Sequence, residues 1–323
     1  MKLSVFVASL LMVMSASVTR SQEKHPPQTR NAALRYWMAF AEMQDPPADK
    51  ATQDLLEKTS AGEAAWDETR LGRILDANGE AIRTTQRATK LPECDWGLEY
   101  DLGPRAPLYH LPRARVMARL NQLEGMREMA KGDSQAAVNT WLAGILFAEH
   151  LANGGPLILA LTAKNALLPN LRVLASEARQ GHLSDAQKKQ VSVTLKGLRE
   201  DGFDWGAAWG LEESTLQQFF ADLRGAANPR AEYESVMGEA MPNGAGVPGS
   251  EDAHRLREYM MRVQTALDLP PQAAKARLLA LETQKRSLPE AIQRLIPSAQ
   301  KLNDVRLEVF AVRKHLQEAI AVK

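Results

Sequence analysis

Cys94, Asp95, Glu99 and Asp101 fall within eight consecutive residues, interleaved with Trp96 and Tyr100. Carboxylates in such a cluster can hold a cation or exchange protons as general acid and base, and a glycosidase needs two of them about 5 to 9 Å apart across a cleft. A cysteine acts as a nucleophile when a histidine stands beside it, and nothing in the sequence places one beside Cys94. Aromatic rings stack on a sugar or a peptide. The surrounding stretch, Leu91 to Pro112, carries Pro92, Gly97, Gly103, Pro104, Pro107 and Pro112, which exclude a continuous helix. Long irregular segments in compact domains are frequent homes of function. The same residues have a structural reading: Trp96 plugs the loop onto a helical layer and Asp95 caps backbone amides. Glu93 and Asp95 flank the cysteine with negative charge, which disfavours the thiolate, so Cys94 is expected to be buried and unreactive.

Other chemistry is thinner. Glu212 and Glu213 are adjacent carboxylates, but neighbouring helical positions point about 100° apart, so they read as surface or capping acids rather than a catalytic pair. The histidines, at 25, 110, 150, 182, 254 and 315, form no HExxH pair, and a lone cysteine makes no thiolate zinc site. There is no phosphate-cradling GxxxxGK, no GxGxxG after a strand and no GxSxG elbow. No cofactor, metal or catalytic residue is assigned from the sequence.

The elements that must position the loop are helical. Pro112 to Gly155 reads as two helices around a turn at Gly132, with Asp133 or Ser134 as the next cap. The second carries two apolar stripes, Val138, Trp141, Leu142, Ile145 and Ala148 beside Ala137, Gly144, Phe147 and Leu151, and so belongs between other helices. Gly125 to Ile145 resembles a tetratricopeptide repeat: Gly125, Gly132, Asp133, Ala137 and Trp141 fall at that family's offsets, and Gly144 stands where it usually has alanine. The resemblance implies that Gly125 faces Ala137 and Gly144 closely while Trp141 fills the groove beside them. Glu124 and Glu128 replace the family's leucine and aromatic, and no copy follows at its 34-residue period, so this is one repeat-like hairpin. Three further segments, NAALRYW from Asn31, CDWGLEYDLGP from Cys94 and HLANGGPLI from His150, are together similar to an uncharacterised family of exported bacterial helical proteins. That resemblance spans roughly residues 31 to 220 and implies architecture without an activity.

Asn31 is expected to cap a helix burying Leu34, Trp37, Met38 and Ala41, and Asp49 a short one with Leu55 and Leu56. Trp66 to about Thr89 presents Leu71, Ile74, Leu75, Asn78 and Ile82 on one face, with Gly79 as a candidate bend. Pro156 to Arg179 is apolar on most sides, and Pro169 should kink it by removing the amide that Asn165 would accept. Ser184 and Gln187 form a capping box, and Asp204 to Arg224 buries Trp209, Leu216, Phe219, Phe220 and Leu223. Residues 225–250 read as a flexible linker or long loop with at most a short helical turn near Tyr233 to Met237. Helices starting at Ser250, Pro271 and Ser298 follow, in a C-terminal segment, 251–323, packed on or beside the main domain, 31–224. No useful strand alternation occurs. The expected fold is all-α: antiparallel helical hairpins in a solenoid-like or irregular bundle.

Lys2, the apolar run Leu3 to Met14 and the small residues of SASVTRS have the form of a signal peptide, residues 1–21, followed by a polar leader, 22–30. The run is short against the ~20 residues of a membrane span, and an uncleaved anchor is the alternative. Lys plus Arg number 40 and Asp plus Glu 39, and losing Lys2 leaves 39 of each. A neutral chain has no general attraction to nucleic acid or anionic membrane, and Arg113, Arg115 and Arg119 read as a solvated face paired with nearby acids. The functional expectation is an exported interaction or scaffold protein binding a protein, a peptide or an envelope polymer. The alternative is a hydrolase or lyase acting on such a polymer through Asp95, Glu99 or Asp101.

Overall fold

A computed structural model describes residues 29–242 and 246–321. The signal peptide and most of the polar leader lie outside the described residues. Among these there are thirteen α-helices and no strand. In chain order they are α1 (Ala32–Glu42), α2 (Lys50–Ala61), α3 (Glu68–Ala88), α4 (His110–Ala130), α5 (Ser134–Ala152), α6 (Leu157–Arg179) and α7 (Asp185–Gly197). Then come α8 (Trp205–Gly225), α9 (Pro229–Met237), α10 (Ser250–Leu267), α11 (Pro271–Lys285), α12 (Glu290–Leu295) and α13 (Ala299–Ile320). A 3₁₀ turn, Tyr100–Arg105, lies between α3 and α4.

Side-chain caps start most of these helices. Asn31, Asp49, Asp133, Ser184, Asp204 and Ser298 each accept an amide of the first turn, and Ser184 with Gln187 completes a capping box. The linker-like composition of 225–250 conceals α9, which Asn228 caps and whose Tyr233 is fully buried against Phe219. The described residues from Asn31 onward form one compact unit.

The largely apolar α5 lies between α4 and α6 and buries both of its stripes. Helix α6 in turn packs on α13, which reaches back from the C-terminal segment. By length and composition α6 alone among the described helices could cross a membrane, yet most of its apolar window is buried by its neighbours. The chain continues as one helix of 23 residues through Pro169. Arg306 on α13 is 1% exposed and bonds to Asp201, giving the core an ion pair that hydrophobic patterning does not show.

Two packing expectations need correcting. Helix α1 buries Ala33, Tyr36, Ala39 and Phe40, while Leu34, Trp37 and Met38 are exposed. Its small residues let the backbone approach α3 closely, and that decides the face over the size of Trp37. In the α4–α5 hairpin, Gly125 faces the indole of Trp141: a Cβ there would stand 2.4 Å from Nε1. Gly144 makes room for the carboxamides of Asn170 and Asn121. The small residues therefore serve side chains of the partner helices instead of one another.

Candidate functional site

The irregular stretch before α4 is fastened from several directions. Asn31 caps α1 through Oδ1, which also accepts the amide of Asp95 at 2.9 Å, while its Nδ2 donates to the Asp95 carbonyl at 2.9 Å. Ala32 donates to the Glu93 carbonyl at 2.7 Å, so the start of α1 and residues 93–95 run together. Farther on, Asn153 donates to the Cys94 carbonyl at 3.3 Å, the indole of Trp96 to the His150 carbonyl at 2.9 Å, and the Tyr100 hydroxyl to the Gly154 carbonyl. The Tyr36 hydroxyl meets Nδ1 of His150 at 2.7 Å. The three segments NAALRYW, CDWGLEYDLGP and HLANGGPLI, far apart in sequence, thus converge in space.

Trp96 is buried, stacked on His110 at 4.4 Å and packed against Tyr36 and Phe40. Asp95 turns its carboxylate onto the amide of Gly97 at 2.9 Å, where φ is +65°. Cys94 is 6% exposed, and burial, aided by the charge of Asp95, pushes its thiol up to about 12. A thiol so protonated is no nucleophile. Burial also lowers His150 and takes His110 down to about 4, so both rings are neutral near pH 7. Glu99 and Asp101 are exposed. None of Asp95, Glu99 and Asp101 lines either of the two hollows that the loop borders.

The loop instead builds walls. Its 3₁₀ turn lies on α8, where a Cβ at Gly103 would meet the side chain of Gln218 at 3.0 Å, and Arg105 pairs with Asp222 at 3.1 Å and with Glu232. Between loop, α5–α6 turn and α8 are two adjoining hollows, divided where Gly155 gives way to Pro156 and Leu211 to Glu212. One, of about 330 Å³, is mostly apolar, with Leu98, Tyr100, Leu108, Leu157, Ile158 and Leu161 around it. The other, of about 600 Å³, is polar, with Glu149, His150, Asn153, Arg199 and Asp204 among its walls. Arg199 and Asp204 pair at 3.0 Å, and burial raises the carboxyl of Glu149.

Glu212 is the one carboxylate of the apolar hollow. Burial raises its carboxyl, and the amide of Leu157 at the start of α6 opposes that shift. Glu213 points elsewhere and pairs with Arg257 at 3.5 Å, so the two acids diverge. Treating Glu212 as a capping acid captures its contact with Leu157 and misses its apolar surroundings. A signal was available, since Glu212 falls three residues after Trp209 and four before Leu216, on the stripe that α8 buries.

A hollow of this size and lining takes a hydrocarbon group, with one acceptor to orient a donor attached to it. The polar hollow beside it offers hydrogen-bonding groups to whatever extends from that anchor. Comparison with known protein families, curated proteins and solved structures finds no match to this chain.

Proposed function

We propose that this is an exported helical binding protein that holds an extended segment of a protein partner along α8. An apolar side chain of the partner fills the hollow beside Ile158 and Leu161, where Glu212 accepts a neighbouring N–H, and the segment continues across the polar hollow. The observation that carries this reading is the junction of a preformed apolar hollow and a polar one on a fastened framework, which spares the ordering cost of binding. The repeat-like hairpin α4–α5 fits the same role, since helical hairpins are common peptide-binding scaffolds. Export, with a mature chain beginning near Val18 or Gln22 and residing in the periplasm or outside the cell, belongs to the same proposal and rests on the signal-peptide form of residues 1–21.

Selection from a displayed random-peptide library tests the binding. Ile158 is 42% exposed, so Ile158→Asp should leave the fold intact and weaken the selected peptides by about tenfold or more, as expected for a charge placed in an apolar pocket. Val193→Asp, at an exposed position on α7, should leave them unchanged. Peptides insensitive to Ile158→Asp, or sedimentation with purified wall polymer and no peptide binding at all, would sink the reading. Amino-terminal sequencing of protein recovered from the envelope tests export, against which intact Met1 would count.

A further inference from the structure

We propose a second binding site, for a small organic carboxylate that also bears hydroxyl or amide donors, in the groove between α4 and α6 overlooked by Arg115 and Arg119. The groove holds about 290 Å³ and shares no lining residue with the two hollows along α8. Its floor is made by alanines at 114, 118 and 166, whose small size opens the space between the helices.

Its charge sets it apart. The two arginines stand one turn apart on one face of α4, and among the described residues no carboxylate lines the groove, whereas Glu212 lines the apolar hollow along α8 and Glu149 and Asp204 line the polar one. Arg113, on the same helix, pairs with Asp45 at 2.8 Å, as the sequence suggests for all three. Arg115 and Arg119 depart from that expectation. Among the described residues they reach the neutral oxygens of Thr162 and Gln53 alone, at 3.4 and 3.5 Å. A guanidinium has five N–H donors in a planar fork, so most of their capacity is not spent on acceptors of the protein and is open to a ligand in the groove.

Acceptors complete the site. Pro169 has no N–H, so the carbonyl of Asn165, in the groove wall, lacks its helical donor. Ser60 closes one end, and its hydroxyl is buried without a hydrogen-bond partner. A ligand satisfying both sets carries one anionic group and at least one donor. The arginine forks pair with any oxyanion, and the Asn165 carbonyl and Ser60 hydroxyl ask in addition for a donor that a free phosphate dianion supplies poorly, so the walls suit a carboxylate that carries hydroxyl or amide groups. Such a ligand is a sugar acid or the free carboxyl end of a peptide.

Calorimetric titration of the purified protein with D-glucuronate and, separately, with alanyl-alanine distinguishes the two sources. One of them should bind at about 10 mM or below, and the methyl ester of glucuronate should not. Arg115→Gln and Arg119→Gln, both at exposed positions, should each weaken binding by about tenfold, with Arg113→Gln unchanged, because a charge-assisted fork is lost in the first two only. Unaltered melting curves will show that these variants keep their fold. No binding of either carboxylate, binding indifferent to both arginine variants, or inorganic phosphate binding more tightly than either carboxylate would each overturn the proposal.

Discussion

Arg306 and Asp201, 105 positions apart, meet as a buried ion pair: Nε and a terminal guanidinium nitrogen both reach the same carboxylate oxygen, at 2.8 and 2.7 Å. The guanidinium also donates to the Leu269 carbonyl at 2.7 Å, and the Asp201 carbonyl accepts the indole of Trp205 at 2.9 Å. This cluster joins α13 to the start of α8, one edge of the proposed binding surface.

Asp201→Ala should therefore destabilise the protein by about 3 to 5 kcal/mol, because it strands a buried guanidinium. Replacing both partners, with Asp201→Asn and Arg306→Met, should cost less than the two single changes summed. Urea midpoints measured at pH 7 decide it, and a midpoint unmoved in Asp201→Ala would show the pair to be incidental.

His110 should make stability fall in acid. Its folded value is about 4, against an ordinary 6.5, because burial excludes the charged ring. Between these values the unfolded chain binds a proton that the folded chain refuses, so stability declines as the pH drops from about 6.5 to about 4 and is flat above. His150 adds to the same trend. His110→Phe keeps a ring on Trp96, should shift stability at pH 7.5 by less than about 1.5 kcal/mol, and should flatten the acid slope. An unchanged slope would mean that other groups govern it.

Glu128 works in the opposite sense. Burial lifts its carboxyl to about 7, above its value in the unfolded chain, so its contribution is most favourable below about pH 4.5 and is lost as the pH rises to 7. Glu128→Gln should raise the urea midpoint at pH 8 and leave it nearly unchanged at pH 4. A destabilised variant at pH 8 would show instead that the ionised carboxylate is held by a strong partner.

At the α4–α5 contact, even Gly125→Ala should cost about 1 to 3 kcal/mol, since a single methyl meets the Trp141 ring at less than van der Waals distance. Gly125→Leu should cost more. A urea midpoint unaffected by both would mean that the ring has room to move.

Cys94 should resist labelling. With its thiol pushed up to about 12 and its side chain covered, a disulfide reagent at pH 8 should react slowly with the native protein and fully in denaturant. Rapid native labelling, together with loss of peptide binding but not of stability in Cys94→Ser, would return the loop to candidacy as a reactive centre.

The sequence is a good guide where one residue decides an outcome locally. Asn31, Asp49, Ser184 with Gln187 and Asp204 mark helix starts because their oxygens satisfy free amides of the first turn, whatever the rest of the chain does. The face of α1 was not legible: an eleven-residue helix with apolar residues on both sides offers two stripes, and close approach to α3 selects the one with smaller residues. The loop's own structure was largely legible, from Trp96 as plug to Asp95 as cap. The hollows beside it were not, because Leu98, Gly155, Ile158 and Glu212 become neighbours only once the loop, the α5–α6 turn and α8 have docked. Arg306 was hidden for a related reason, its partner lying on a different helix–helix connection.

The fastening of Asn31 to Asp95 and of Tyr36 to His150 also orders events in time. A chain emerging N-terminus first presents Tyr36 well before His150 exists to receive it, an interval of 114 residues and on the order of ten seconds at ordinary synthesis rates. Through that interval Tyr36 and Phe40 have no aromatic partners from α5, and Leu34, Trp37 and Met38 add apolar surface on the other side. The earliest of the described helices to emerge thus keeps an aromatic face uncovered until the α5–α6 turn is made and can pack on it.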